Sequence, residues 1–173
     1  KKYPTIGFDI HEKRIKELES GKDSTLEVTS EDLEASPMLS YTTNLEDIAE
    51  ANFYIVTVPT PIDAFKTPDL SPLKGASKMI GKILKEGDIV IYESTTFPGC
   101  TEEDCVPILE EQSGLKFNQD FYCGYSPERI NPGDKVHTLS TIVKVASACS
   151  PEALEEVAKT YELVVDAGVH RAA

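Results

Sequence analysis

The 173-residue chain has no tryptophan, only two methionines, and no G-x-G glycine pair anywhere. Positive charge is scarce: 17 Lys and Arg face 30 Asp and Glu, for a net charge of -13. A surface that acidic repels phosphate backbones and anionic lipids, which sets nucleic-acid and membrane-surface binding aside. No apolar run approaches the ~20 residues of a membrane helix, and the opening KKYPTIGFDI lacks the layout of a secretion signal. There is no C-x-x-C pair, and four cysteines in a chain of this length are too few for a disulfide framework. The histidines His11, His137 and His170 are scattered without metal-ligand spacing, so no metal is expected. What remains is a chain that is 40% hydrophobic, enough for one sizeable core. A reduced, cytoplasmic enzyme of one domain is the expectation.

Short apolar runs alternate with helical patterns along the whole length. Residues 5–10 (TIGFDI) read as a strand, and 11–20 as a helix with Ile15 and Leu18 on one face and Gly21 as its stop. Residues 22–38 carry no strong pattern. A short strand at 39–43 precedes Asn44, an N-cap for 45–51. Residues 53–58 (FYIVTV) are apolar almost throughout, as a strand covered on both faces should be. A proline-punctuated loop over 59–72 leads to a helix over 73–84, then a strand at 88–92. Thr101 is placed to cap a helix ending before Gly114. Strands follow at 121–125 and 141–146, a helix begins after Ser150-Pro151, and 161–166 reads as a closing strand. This alternation predicts an α/β fold, a doubly wound and mostly parallel sheet with helices on both faces.

In such sheets ligands bind beyond the carboxyl ends of the strands, so the polar residues there carry the functional signal. Asp9 ends the first strand, where an acid can accept hydrogen bonds from both hydroxyls of an adenosine ribose. Arg14, one helical turn on, can stack its planar guanidinium on adenine. The plain alternative is that Asp9 caps the following helix and Arg14 is a surface charge. Val58, Pro59, Thr60 and Pro61 cannot continue a central strand; they form an extended turn with free carbonyls, a wall for a flat ligand or simply a rigid loop. Ser94, Thr95 and Thr96 follow Glu93 at the next strand end and can bind a carbonyl or phosphate oxygen, position a water, or only cap a turn. The most distinctive segment is SPERINPGD, beginning at Ser126. Glu128 there can act as a general base and Arg129 can hold a phosphate or carboxylate, or the two form a local surface pair. None of the four cysteines stands beside a histidine in sequence, so none reads as a nucleophile.

Taken together, IGFDIHEKRI, FYIVTVPTPID, IYESTTFPGCTEE and CGYSPERINPGD resemble the nucleotide-sugar 6-dehydrogenases, the UDP-glucose/GDP-mannose dehydrogenase family. SPERINPGD is most similar to the branch acting on UDP-N-acetylglucosamine or UDP-N-acetylgalactosamine. The resemblance implies a Rossmann-like NAD-binding domain over residues 1–173. It assigns Asp9 to the adenosine ribose, Arg14 to the adenine side, and Val58, Pro59, Thr60 and Pro61 to the cofactor cleft. Ser94 and Thr95 meet NAD, with Thr95 also placing a catalytic water. Glu128 is the acid–base group of the hydrolytic half-reaction, and Arg129, Ile130 and Asn131 border the sugar nucleotide along with Glu128. The family's chemistry is a four-electron oxidation of the sugar C6 alcohol to the acid, through a cysteine thiohemiacetal and thioester.

Two features of the family have no counterpart here: its first strand with the Gly-rich phosphate loop, and the motif of its nucleophilic cysteine. The chain is therefore expected to be an internal piece of the cofactor domain, inactive alone, from an enzyme that dimerises. A different UDP-sugar, UDP-glucose or UDP-N-acetylmannosamine, is the alternative within enzymes. A non-catalytic α/β binding or assembly module is the alternative outside them.

Overall fold

A computed structural model of the chain describes residues 3–62, 64–128 and 141–172. It divides into two compact units, residues 1–50 and 51–173.

In the first unit, β1 (Thr5–Phe8) pairs in parallel with β2 (Leu39–Thr42), Gly7 standing opposite Tyr41. Helix α1 (Glu12–Glu19) buries Ile15 and ends before Gly21. The stretch without pattern holds a short helix, α2 (Ser30–Glu34). Its sequence signal is Thr29-x-x-Asp32: the Thr29 hydroxyl accepts the Asp32 N–H at 3.1 Å and donates to the Asp32 carboxylate at 2.9 Å. Such a reciprocal cap fixes a helix start without any apolar face to announce it. Asn44 caps a single 3-10 turn, Leu45–Ile48.

The second unit is a five-stranded sheet in the order β3-β4-β5-β6-β7, formed by Phe53–Val56, Ile89–Tyr92, Tyr122–Tyr125, Lys144–Ala148 and Val169–Arg171. All neighbours are parallel except β5 and β6. Strand β4 is buried along its whole length, and its period of two sends side chains to both faces. Ile89 and Ile91 join Ala146, Val157, Tyr161 and Val165 in one core. From β4 the Tyr92 hydroxyl bonds that of Ser77 at 2.7 Å, on α3 (Ser71–Gly81). Each buried aliphatic or aromatic side chain of this kind contributes ~1.5–3 kcal/mol. At Gly124 in β5, a Cβ would meet the Ser147 carbonyl at 3.0 Å and Val157 at 3.2 Å, so the antiparallel β6 and the helix behind it close on a bare backbone.

Four expectations are corrected. Strand β3 is not covered on both faces: Ile55 is 46% exposed, and among the described residues β3 bonds only to β4. The helix capped by Thr101 starts instead with a widened π turn, Thr101–Cys105, before α4 (Val106–Ser113). Pro107 has no N–H to return to the preceding turn, which favours such widening; Gly114, at φ 75°, then ends the helix as expected. The strand expected at 141–146 begins only at Lys144. The closing strand expected at 161–166 is a helical end: Tyr161 lies in the last turn of α5 (Pro151–Glu162), and the strand comes later, at β7. The apolar residues there continue the stripe Ala153, Val157, Tyr161, Val165 at a spacing of four, which a short window mistakes for a strand. Ser150 caps α5 as expected, accepting the Ala153 N–H at 3.1 Å.

Candidate functional site

Three strand ends of the second unit converge. Backbone hydrogen bonds hold them in register: Glu93 N–H to the Val56 carbonyl at 2.9 Å, Ser126 N–H to Tyr92 at 2.9 Å, and Glu128 N–H to Glu93 at 3.3 Å. Above them opens a cleft of about 370 Å³ lined by Thr57, Val58, Pro59, Thr60, Glu93, Ser94, Thr95 and Glu128. Sequence reasoning chose Val58, Pro59, Thr60, Ser94, Thr95 and Glu128, and the structure brings all six to one wall. Pro61 is outside the lining; its carbonyl accepts the Asp69 N–H at 2.7 Å and closes the loop behind.

The Ser94 hydroxyl donates to the Val58 carbonyl at 2.6 Å, so it ties the β4 end to the proline loop. Removing that tie with Ser94→Ala is expected to loosen the wall and weaken NAD binding about fivefold, the equivalent of one net hydrogen bond; fluorescence titration of NAD measures it, and unchanged affinity would refute the role. Thr60 shows the opposite state. Its hydroxyl oxygen is buried with no hydrogen-bond partner. A buried hydroxyl left unpaired is costly unless something binds it, and on a cleft wall it fits a ligand with polar edges, such as a dinucleotide.

Asp9 and Arg14 belong to the first unit. One Asp9 carboxylate oxygen accepts the His11 N–H at 2.8 Å and turns the chain into α1. The other has no partner among the described residues and is free for a ribose hydroxyl. One Arg14 guanidinium nitrogen pairs with Asp23 at 2.8 Å and Glu17 at 3.5 Å. Burial pushes the Asp23 carboxyl up, but hydrogen bonds from Thr25, Val28 and Arg14 outweigh it and hold the acid well below the usual carboxylate range. Arg14 thus carries a structural load as well, fixing the loop after α1. A larger opening of about 540 Å³ lies over that loop, lined by Glu17, Lys22, Asp23 and Leu26 among others. Arg129, Ile130 and Asn131 lie outside the described residues.

All four cysteines are free thiols. Burial pushes each of them up, Cys105 to about 11, so none is a thiolate at neutral pH. Three residues beside the cleft escaped the sequence reading: Glu93 was noted only as a neighbour of Ser94, and Lys144 and Tyr161 were not singled out. Lys144 did leave a signal, a lone charge inside the apolar run TIVKVA, which burial obliges to find a partner.

A mostly parallel sheet with polar strand ends gathered around a cleft is the arrangement in which α/β proteins bind their ligands. A family model described as the UDP-glucose/GDP-mannose dehydrogenase family, NAD binding domain, matches residues 2–165. The chain belongs to that family, and its cofactor is NAD. Among relatives, UDP-N-acetyl-D-glucosamine 6-dehydrogenase of Pseudomonas aeruginosa is 59% identical over 99% of the chain and 41% of its own length. Protein CapL of Staphylococcus aureus is 56% identical over 99% of the chain and 40% of its own length. Among solved structures, UDP-D-ManNAc dehydrogenase of Pyrococcus horikoshii superposes with a TM-score of 0.87 at 29% identity, over 99% of this chain and 41% of that one. The chain therefore spans about two fifths of the length of these relatives.

Proposed function

We propose that the protein carrying this chain is an NAD-dependent UDP-N-acetylhexosamine 6-dehydrogenase, with UDP-N-acetylglucosamine as the leading substrate. Residues 1–173 act as its NAD-binding domain and contribute the acid–base carboxylate. The observation that carries the reading is the cleft in which the proline loop, Ser94, Thr95 and Glu128 meet, with the unpaired Thr60 hydroxyl in its wall. NAD, when bound, supplies the hydride acceptor. Asp9 holds the adenosine ribose through its free oxygen, and Arg14 borders the adenine. Val58, Pro59, Thr60 and Pro61 keep water from one side of the nicotinamide. Thr95 orients the hydrolytic water, and Glu128 takes a proton from it. Arg129, Ile130 and Asn131 contact the sugar nucleotide.

The free, unreactive thiols fit a nucleophile supplied from outside these 173 residues, and they suit a reducing compartment such as the cytoplasm. The enzyme is expected to be a homodimer, and the chain alone to be inactive. The test is NADH formation by the product of the full reading frame, offered UDP-N-acetylglucosamine, UDP-N-acetylgalactosamine, UDP-glucose and UDP-N-acetylmannosamine. Fastest turnover on an N-acetylglucosamine or N-acetylgalactosamine substrate, with two NADH per sugar, is expected. Faster turnover on UDP-glucose or UDP-N-acetylmannosamine would overturn the substrate. No NADH with any of the four would overturn the activity and favour a non-catalytic binding module.

A further inference from the structure

Behind the cleft wall lies a buried cluster drawn from three elements. Glu93 ends β4 and lines the cleft, with its side chain 14% exposed. Lys144 opens β6 and is 3% exposed; its Nζ stands 3.4 Å from Glu93 Oε1 and 5.1 Å from the centre of the Tyr161 ring. Tyr161, from α5, donates its hydroxyl to the same Glu93 oxygen. Burial first, and then the Glu93 charge, push the Tyr161 phenol well above its ordinary range, so it remains a proton donor to that carboxylate.

The geometry has two further elements. The antiparallel register of β5 and β6 sets Gly124 opposite Ala148 and Tyr125 opposite Ser147, and beyond the end of β5 the Glu128 N–H bonds the Glu93 carbonyl at 3.3 Å. The Lys144 ammonium is also buried without a hydrogen bond, so its compensation is the electrostatic pairing with Glu93 and the aromatic face beneath it. Two carboxylates, Glu93 and Glu128, thus line one cleft in an already acidic protein, and Lys144 is the cation that stands against Glu93.

We propose that Lys144 is a positioning residue: it is the buried counter-charge that fixes the Glu93 carboxylate in place, and so lets Glu128 work beside a second acid. Without it, the unneutralised charge of Glu93 faces Glu128, and like charges sharing a site favour protonation of one of them. The groups facing the pair are Tyr161 from α5, Lys144 from β6 and the Ser126 hydroxyl from the β5 end, which is itself tied to the Val145 carbonyl at 2.7 Å. Removal of Lys144 therefore raises the proton affinity of the carboxylates, and the acidic limb of any rate profile that needs ionised Glu128 moves to higher pH.

The catalytic half of this inference rests on the proposed dehydrogenase reading, whereas the charge coupling does not, so the test has two parts. In the 173-residue chain, carboxyl carbon NMR titration of Glu93 and Glu128 is compared between wild type, Lys144→Met and Lys144→Arg. A rise of about one pH unit or more in at least one midpoint is expected for the methionine variant, with most of it restored by arginine. Unmoved midpoints in a folded Lys144→Met chain would overturn the inference. Should that variant not fold, Lys144→Gln keeps a polar head in the same space without the charge, and unmoved midpoints there overturn the inference equally. In the full enzyme, the acidic limb of the kcat profile for Lys144→Met is expected to shift by the same amount, with KM for NAD changed less than kcat. A shift in the NMR midpoints with no activity in any form would sink the dehydrogenase reading and leave the charge coupling standing.

Discussion

Glu128→Gln in the full enzyme is expected to lower steady-state formation of the uronic acid by about 10²- to 10⁴-fold, the usual span for loss of a positioned acid–base group. The amide keeps the size of the side chain and the backbone bond from Glu128 N–H to the Glu93 carbonyl, so the cleft should persist. NAD affinity is expected to stay within about twofold, since an exposed acid on the cleft rim adds little to cofactor binding. Because the carboxylate is assigned to the hydrolytic half, hydride transfer should survive it: a burst of NADH followed by stalled turnover. Rapid mixing separates the phases. A slow first phase of NADH formation would move Glu128 to the oxidation steps instead, and undiminished steady-state turnover would remove it from the reaction.

The second large effect concerns the scaffold. Phe121→Ala is expected to destabilise the unit of residues 51–173 by about 3–5 kcal/mol. Phe121 is fully buried just before β5, its ring 5.9 Å from that of Phe117. The truncated ring leaves a cavity at the entrance of the strand that carries Ser126 and Glu128 at its other end, and the surrounding backbone is pinned by the Tyr122 N–H to Asp88 carbonyl bond at 3.0 Å, which limits collapse. Urea denaturation followed by circular dichroism gives the measurement, with the midpoint falling by roughly 2 M for a slope of about 2 kcal/mol per M. Phe65→Ala is the control: that ring is 89% exposed, and its removal should stay within about 0.5 kcal/mol. Equal losses from the two would mean that burial does not rank these phenylalanines.

Much of this architecture was legible because its signals are local. Continuous apolar runs located β1, β3, β4 and β5 to within one or two residues, and Ser150-Pro151 and Gly114 marked helix ends by cap chemistry alone. The cleft was legible for a related reason: parallel sheets gather their ligand contacts at strand ends, so Ser94, Thr95 and Glu128 could be chosen without knowing which strands adjoin. What escaped was set by packing or by non-local pairing. The end of α5 was misread because four-residue spacing and strand-like composition coincide over residues 161–166. Strand β6 starts later than expected because its pairing with β7, Lys144 opposite Val169, and not its own sequence, fixes where it begins. The cluster of Glu93, Lys144 and Tyr161 joins residues far apart in the chain, and no spacing rule connects them.

The free thiols have a consequence for how the unit's breathing can be followed. Cys100, Cys105 and Cys123 are buried, and only Cys149 is partly exposed. A thiol reagent therefore reaches the three only when the packing around them opens, so their labelling rate counts openings rather than surface area.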